Sequence, residues 1–526
     1  MSTPTISMGE DYWEAFRLQE EDIEFLYNYL LEIETPLTSQ ELIEALVEER
    51  IRRRRLEIEQ QRTAGGELYQ PKGVFQEGQY LIFPALAWRR GRVVGVRPGV
   101  NPDIGEFQVI QVAMEDGSQR EFAAGLKDHK LNAPPKFVEN FNHLDKSTVL
   151  KIYSDDLLDA LEEGLEANPD FVRIAGRWFP RALLVDINVG HLNLAEAVLD
   201  MAGGGPATTA ALLEEVGLPK DINPKLAEFS LDLALQEDER FDEVGPAGKV
   251  LWYLKRLEPP EVLNTPVCLR YHEIDYDRSV LTEEMLALEQ ALDDELSPPT
   301  GRVQSQNDVE VRLIYPHWHS GTLPLSPRLR HLFPTAYEAP RVRFMLVDGD
   351  SGEKFPGWVV REKRYVFGLQ DWYEEHGVMP GSILHVRRGK EPGEVIVQTE
   401  NRRPSREWVR TVLVGSDGGV VFAMLKQIIT TPIDERMAIA VPDKKALEAI
   451  WNSSHKDQQP FEKVVVNMVR ELAKLNPQSH VHASELYAAI NVIRRSPPGP
   501  ILWLLASRPW FTHVGDQHYR LSDTDL

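Results

Sequence analysis

Two pairs of histidines separated by one residue, His317-Trp318-His319 and His480-Val481-His482, have the spacing best suited to chemistry. On a strand, such alternation turns both imidazoles to one face, where they could share a metal, but a site needs a third and usually a fourth ligand. Nothing nearby in sequence completes either pair, so both read as ordinary surface or strand histidines. The single cysteine, Cys268, excludes an internal disulfide framework and a multi-cysteine metal site. Gly203-Gly204-Gly205 precedes no Lys-Ser/Thr and reads as a turn, not a phosphate cradle. No Gly-X-Ser-X-Gly elbow or His-Glu-X-X-His occurs, and no pair of carboxylates is singled out. The expectation is a non-enzyme with no cofactor and no metal.

The remaining chemistry is cationic. Arg52, Arg53, Arg54 and Arg55 form the densest positive run, answered by Glu48, Glu49, Glu57 and Glu59. Arg494, Arg495 and Arg508 flank a short apolar helix near the C-terminus. Clustered arginines are what phosphate contacts require, and solvated helix faces are their alternative reading. A net charge of −24 argues against a simple DNA-coating protein. The charge is uneven, however: −8 over 1–135, −19 over 136–300 and +3 over 301–526. An acidic middle cannot lie against phosphate, whereas the C-terminal part can.

Several domains must position these residues. At 526 residues the chain exceeds one core, and a prior of roughly 150 residues per domain predicts three to four. A hydrophobic fraction of 42% with 9% aromatics is globular and not disordered. No apolar run nears the roughly 18 residues of a membrane span, and residues 1–20 lack a signal-peptide layout. A cytoplasmic protein away from membranes is expected.

Three stretches share one ending: a helix-like run, a phenylalanine, two variable residues, a β-branched residue and a small residue. They read Phe171-Val172-Arg173-Ile174-Ala175, Phe241-Asp242-Glu243-Val244-Gly245 and Phe511-Thr512-His513-Val514-Gly515. Apolar or aromatic residues follow each, as in the wing of a winged helix-turn-helix. Residues 10–66 read as helix, Pro36-Leu37-Thr38 turn and helix, with Thr38 or Ser39 as the cap. Residues 72–133 switch to short strands with turns at Asn101-Pro102 and Asp116-Gly117. They predict a small SH3-like barrel, locally basic through Arg89, Arg90, Arg92 and Arg97. Residues 136–300 hold the acidic winged units: a helix over 155–166 before the first wing, and helices over 194–201, 208–216 and 224–235 before the second. That last helix sets Lys225 against Glu228, Asp232, Glu237, Asp238 and Glu239, so phosphates would repel it and a structural or protein-binding role is expected. Residues 305–400 return to strands, 401–460 connect, and 461–526 form a last winged unit with helices over 464–475, 483–493 and 501–506.

That last unit, through its first two helices and the ending Phe511-x-x-Val514-Gly515-x-x-x-Tyr519-x-Leu521, resembles the HARE-type helix-turn-helix, the module also found in the RNA polymerase delta subunit. The resemblance implies a role near DNA or RNA polymerase. Segment 309–398 resembles a DNA-binding pseudobarrel of the plant B3 and restriction-enzyme effector type. The residues concerned are Leu323-Pro324-Leu325, 344–348, Gly357-Trp358, Gly368-Leu369, Trp372-Tyr373 and Pro380-Gly381-Ser382-Ile383. Such a barrel implies groove contacts, for which Arg361, Lys363, Arg364, Arg387 and Arg388 are candidates, with Arg402, Arg403 and Arg406 just beyond. The fold class expected is α+β multidomain: several winged helix-turn-helix units, a small SH3-like β-barrel and a larger pseudobarrel-like β domain. The function expected is a non-enzymatic, transcription-related DNA-associated protein that binds through basic terminal modules. The alternatives are a scaffold contacting RNA polymerase through its acidic middle, and a component of a nucleic-acid-processing defence system.

Overall fold

The computed structural model describes residues 10–63, 66–86, 88–101, 105–132, 145–219, 222–298, 306–391, 393–400, 402–415, 418–454 and 459–522. The chain is a mixed α+β multidomain protein with six sheets among the described residues. It divides into two units, residues 1–173 with 177–184, and residues 174–176 with 185–526.

In the first unit, the expected helix-turn-helix comprises Glu20–Ile33 and Ser39–Thr63. Thr38 caps the second helix: its hydroxyl accepts the Glu41 N–H at 3.2 Å, and the Glu41 carboxylate accepts the Thr38 N–H at 2.8 Å. Ser39, the other expected cap, turns inward. Its hydroxyl accepts the Trp178 indole N–H at 3.0 Å and donates to Glu162 at 2.6 Å. Glu162 lies on helix Lys146–Glu166, and Trp178 on strand Arg177–Pro180. That strand pairs with both Phe171–Ile174 and Leu37–Thr38. The pieces expected separately within 10–66 and 136–300 therefore share one three-stranded sheet. Between them in sequence lies a five-stranded sheet in chain order: Glu67–Leu68, Tyr80–Phe83, Arg89–Pro98, Gln108–Met114 and Gln119–Ala124. Leu81, Val93, Ile110 and Val112 form its core, and its ends meet where Gly125 and Leu126 donate to the Gly73 and Pro71 carbonyls.

The second unit repeats the helices-then-hairpin plan twice. Val189–Met201, Thr209–Val216 and Pro224–Glu237 precede the hairpin Phe241–Glu243 with Trp252–Leu254. Phe461–Ala473, Ala483–Ile493 and Pro498–Ser507 precede Phe511–Gly515 with His518–Leu521. In all three copies the opening phenylalanine is buried. In all three, a buried aromatic on the return strand faces a residue just before the second helix: Leu37 opposite Trp178, Ala207 opposite Trp252, Val481 opposite Tyr519. Trp252 repeats the Trp178 arrangement, its indole N–H reaching the Thr209 hydroxyl at 3.2 Å and Asp232 at 2.8 Å. Asp232 is therefore a core residue, not part of the exposed acidic surface expected of its helix, and burial pushes its carboxyl up to about 7.

Between these copies stands a seven-stranded sheet ordered Asp308–Arg312, Ile383–Arg388, Glu394–Gln398, Arg341–Asp348, Lys354–Val360, Tyr365–Phe367 and Thr322–Pro324. Only Arg341–Asp348 and Glu394–Gln398 pair in parallel. The segment 401–460, expected merely to connect, holds a long antiparallel hairpin, Ser405–Val414 with Val420–Ile429, and helix Lys444–Ser454.

Arg495, expected to touch phosphate, is instead wholly buried. Its guanidinium donates to Asp294 at 2.8 Å, Glu295 at 2.6 Å and Asn491 at 3.0 Å. The Tyr487 hydroxyl also donates to Asp294, at 2.5 Å, and His317 Nε2 lies 3.3 Å from Glu295. Removing the one arginine shared by two buried carboxylates takes away their common counter-charge, which typically costs about 3–5 kcal/mol. Arg495→Ala should lower unfolding stability by that order in denaturant titration, whereas the exposed Arg402→Ala should stay within about 0.5 kcal/mol of the parent. Equal effects would contradict the network's role.

Candidate nucleic-acid interface

The candidate arginines differ in what the fold leaves them. Arg52 and Arg53 both pair with Glu49, at 2.7 and 2.9 Å, and Arg53 also faces Asp22. Arg54 is half-buried, and the side chain of Arg55 lies outside the described residues. Lys363 pairs with Glu362, and Arg508 pairs with Glu462 at 3.1 Å and covers Trp503. Five others keep their charge while bonding neutral acceptors: Arg361 to Ala339 O, Arg364 to Glu295 O, Arg387 to Gln398, Arg388 to His331 O and Arg494 to Gln459 O. The sheet register separates these groups. Arg361 follows strand Lys354–Val360 beside Arg341, whereas Arg387 stands level with Val347 across Ile396. Six residues of strand put them on the order of 20 Å apart.

Arg402, Arg403 and Arg406 are exposed, and among the described residues none has a side-chain partner. They lead into the long hairpin, whose register sets Arg406 opposite Ile428 and Trp408 opposite Lys426. Trp408 is 62% exposed and Ile428 64%, values that set them apart from the core side chains of the same strands. The Lys426 ammonium sits 5.3 Å from the Trp408 ring centroid. At this base of the hairpin the other face is packed, Val409 and Ile429 being buried with Ala438. Nearer the turn the burial changes sides: Val412 and Phe422 are buried while Leu413 and Val421 are exposed. Arg406 and Lys426 thus share a supported sheet face with one open indole, and Arg402 and Arg403 extend the cationic run just before the strand. Trp408, Lys426 and Ile428 were not foreseen in the sequence. The signal was present in two β-rich runs flanking Asp417-Gly418-Gly419, a hairpin turn sequence.

No protein-family model, curated protein or solved structure matches this chain.

The histidine pairs all have protein partners. His317-Trp318-His319 lies on a short helix, Tyr315–His319, and not on a strand; His317 bonds Thr322, and His319 stacks on Tyr315. Cys268 lines a cleft with His319, Ser320 and Glu448, but burial pushes its thiol up to about 11, so it stays protonated near neutrality. Among the described residues, Asp348, Asp350 and His376 are the one set of such side chains spaced within 4.8 Å, as a metal site needs. Their atoms are also bonded within the protein: Ser351 donates to Asp348 at 2.6 Å, Gln398 to Asp350 at 2.6 Å, and His376 Nδ1 to the Trp372 carbonyl at 3.0 Å.

His482 is buried, and its Nδ1 caps helix Ala483–Ile493 by accepting the Ser484 N–H at 3.1 Å. Burial first, then Arg436 and His518, depress its ring to about 4. The folded state therefore resists a proton that the unfolded chain accepts near pH 6.5. Stability is intact above that pH and falls as pH drops toward 4, by up to about 3 kcal/mol once the ring is protonated. His482→Asn keeps a cap and removes the titration. Denaturation measured between pH 7 and 4 should show a shallower loss for the variant, and parallel curves would refute the assignment.

Proposed function

We propose that this chain is a non-enzymatic, multidomain nucleic-acid-associated protein. Its three helix-and-hairpin units act as winged helices, and its five-stranded and seven-stranded sheets act as an SH3-like module and a pseudobarrel. One observation carries the reading: Arg406 and Lys426 beside Trp408, and Arg402 and Arg403 just before their strand, are exposed and have no carboxylate partner among the described residues, in a chain whose net charge is −24. A row of cations without counter-charges, running from Arg402 to Lys426, is what a backbone of phosphates requires. The transcription-related setting, and RNA polymerase as a partner, rest on the resemblance of the C-terminal unit to the polymerase delta module.

The acidic unit supports a second, compatible role. On helix Val189–Met201, Leu194 and Met201, seven residues apart on one face, are 47% and 91% exposed, an apolar stripe better matched to a protein than to phosphate. Partners that survive nuclease treatment in a pull-down would bind there.

The test is fluorescence anisotropy of labelled DNA with the full-length protein. Affinity should fall steeply with salt. Joint reversal of Arg402, Arg403 and Arg406 to Glu should weaken binding at least tenfold at low salt and flatten the salt slope by about three. Unchanged affinity would locate binding elsewhere, and no binding at low salt would remove the proposal.

A further inference from the structure

We infer that the hairpin face around Trp408 binds unpaired nucleotides, one base stacking on the open side of the indole. This rests on the nucleic-acid reading above and narrows its ligand to single strands. Three observations select that class. First, Trp408 and Ile428 are apolar and exposed at 62% and 64%, so contact with phosphate alone gains nothing from them, whereas a base offers a flat apolar surface. In a duplex those surfaces are already stacked on one another. Second, Lys426 lies over the Trp408 ring at 5.3 Å. With one ring surface covered and the side chain still largely exposed, the other surface is left for a single base, and the ammonium polarises the stack. Third, the hairpin cannot enter a major groove as a free two-stranded ribbon. At its base its opposite face is buried at Val409 and Ile429, so there it offers one side only. A one-sided sheet face with an aromatic and flanking cations suits a strand laid across it, its phosphates meeting Arg402, Arg403 and Arg406. Charge complementarity selects the polyanion, and the indole selects its unpaired form.

The experiment compares a labelled twenty-nucleotide oligothymidine with a twenty-base-pair duplex on the full-length protein at low salt. It uses the parent, Trp408→Ala, Trp408→Phe and the triple arginine-to-glutamate variant. Because Trp408 is mostly exposed, circular dichroism and thermal melting should show all four folded. The expected result is tighter binding of oligothymidine than of duplex. Trp408→Ala should weaken oligothymidine on the order of tenfold or more with duplex unchanged, and Trp408→Phe should restore most of the loss. The triple variant should weaken both ligands. Equal affinity for both ligands, or an oligothymidine affinity indifferent to Trp408→Ala, overturns the single-strand inference while leaving nucleic-acid binding standing. Failure of both ligands to bind overturns the underlying reading as well. Tighter, Trp408-dependent binding of a polyglutamate peptide would reassign the face to an acidic protein and overturn the inference.

Discussion

Burying an indole takes its N–H away from water and costs about 1–3 kcal/mol unless an acceptor is supplied. In two of the three helix-and-hairpin units the acceptor is a hydroxyl on the first residue of the second helix, Ser39 for Trp178 and Thr209 for Trp252. That hydroxyl then engages a carboxylate of the third helix, Glu162 or Asp232. One hydrogen-bonded chain thus ties the hairpin to the start of one helix and the flank of the next, which defines the angle between all three. The C-terminal unit keeps the geometry with other chemistry. Tyr519 faces Val481, and its hydroxyl donates to Gln517 at 3.3 Å.

The arginines show how a residue type takes opposite roles according to what surrounds it. Arg495 and Arg494 are neighbours, yet one is wholly enclosed by Asp294, Glu295 and Asn491 while the other reaches a backbone carbonyl and lies over Phe461. Among the described residues, Arg402, Arg403 and Arg406 have no side-chain partner. Carboxylates outnumber cations in this chain, yet these three arginines have none within reach among the described residues. They lie where the chain leaves the seven-stranded sheet and enters the long hairpin.

Much of the helical architecture was legible in the sequence because its signals are local. The helix over 483–493, the Thr38 cap and the three hairpin phenylalanines all follow from spacing within a dozen residues. Three features were not legible, for related reasons. The first hairpin belongs with Leu37–Thr38, but no local pattern reveals a partner beyond an intervening sheet. Asp232 and Arg495 read as surface charges because polarity in sequence does not disclose a buried counter-group supplied from elsewhere, here Trp252 and Asp294. Trp408 read as part of a connector because an isolated tryptophan is usually core, and only burial of the opposite strand face shows that it points outward.

The five-stranded insertion gives the first unit a different history from its two counterparts. Trp178 must find Ser39 across 139 residues, while Trp252 finds Thr209 across 43. Loop-closure entropy grows only with the logarithm of length, so the longer reach costs about 1 kcal/mol more. The larger effect is temporal. As the chain emerges from the ribosome, Leu42, Leu46 and Val47 wait for their hairpin until a whole β-sheet has been made, whereas in each later unit no sheet separates the second helix from the third. Within the first unit, all five strands of the inserted sheet are therefore made before its second helix can meet its third helix and its hairpin.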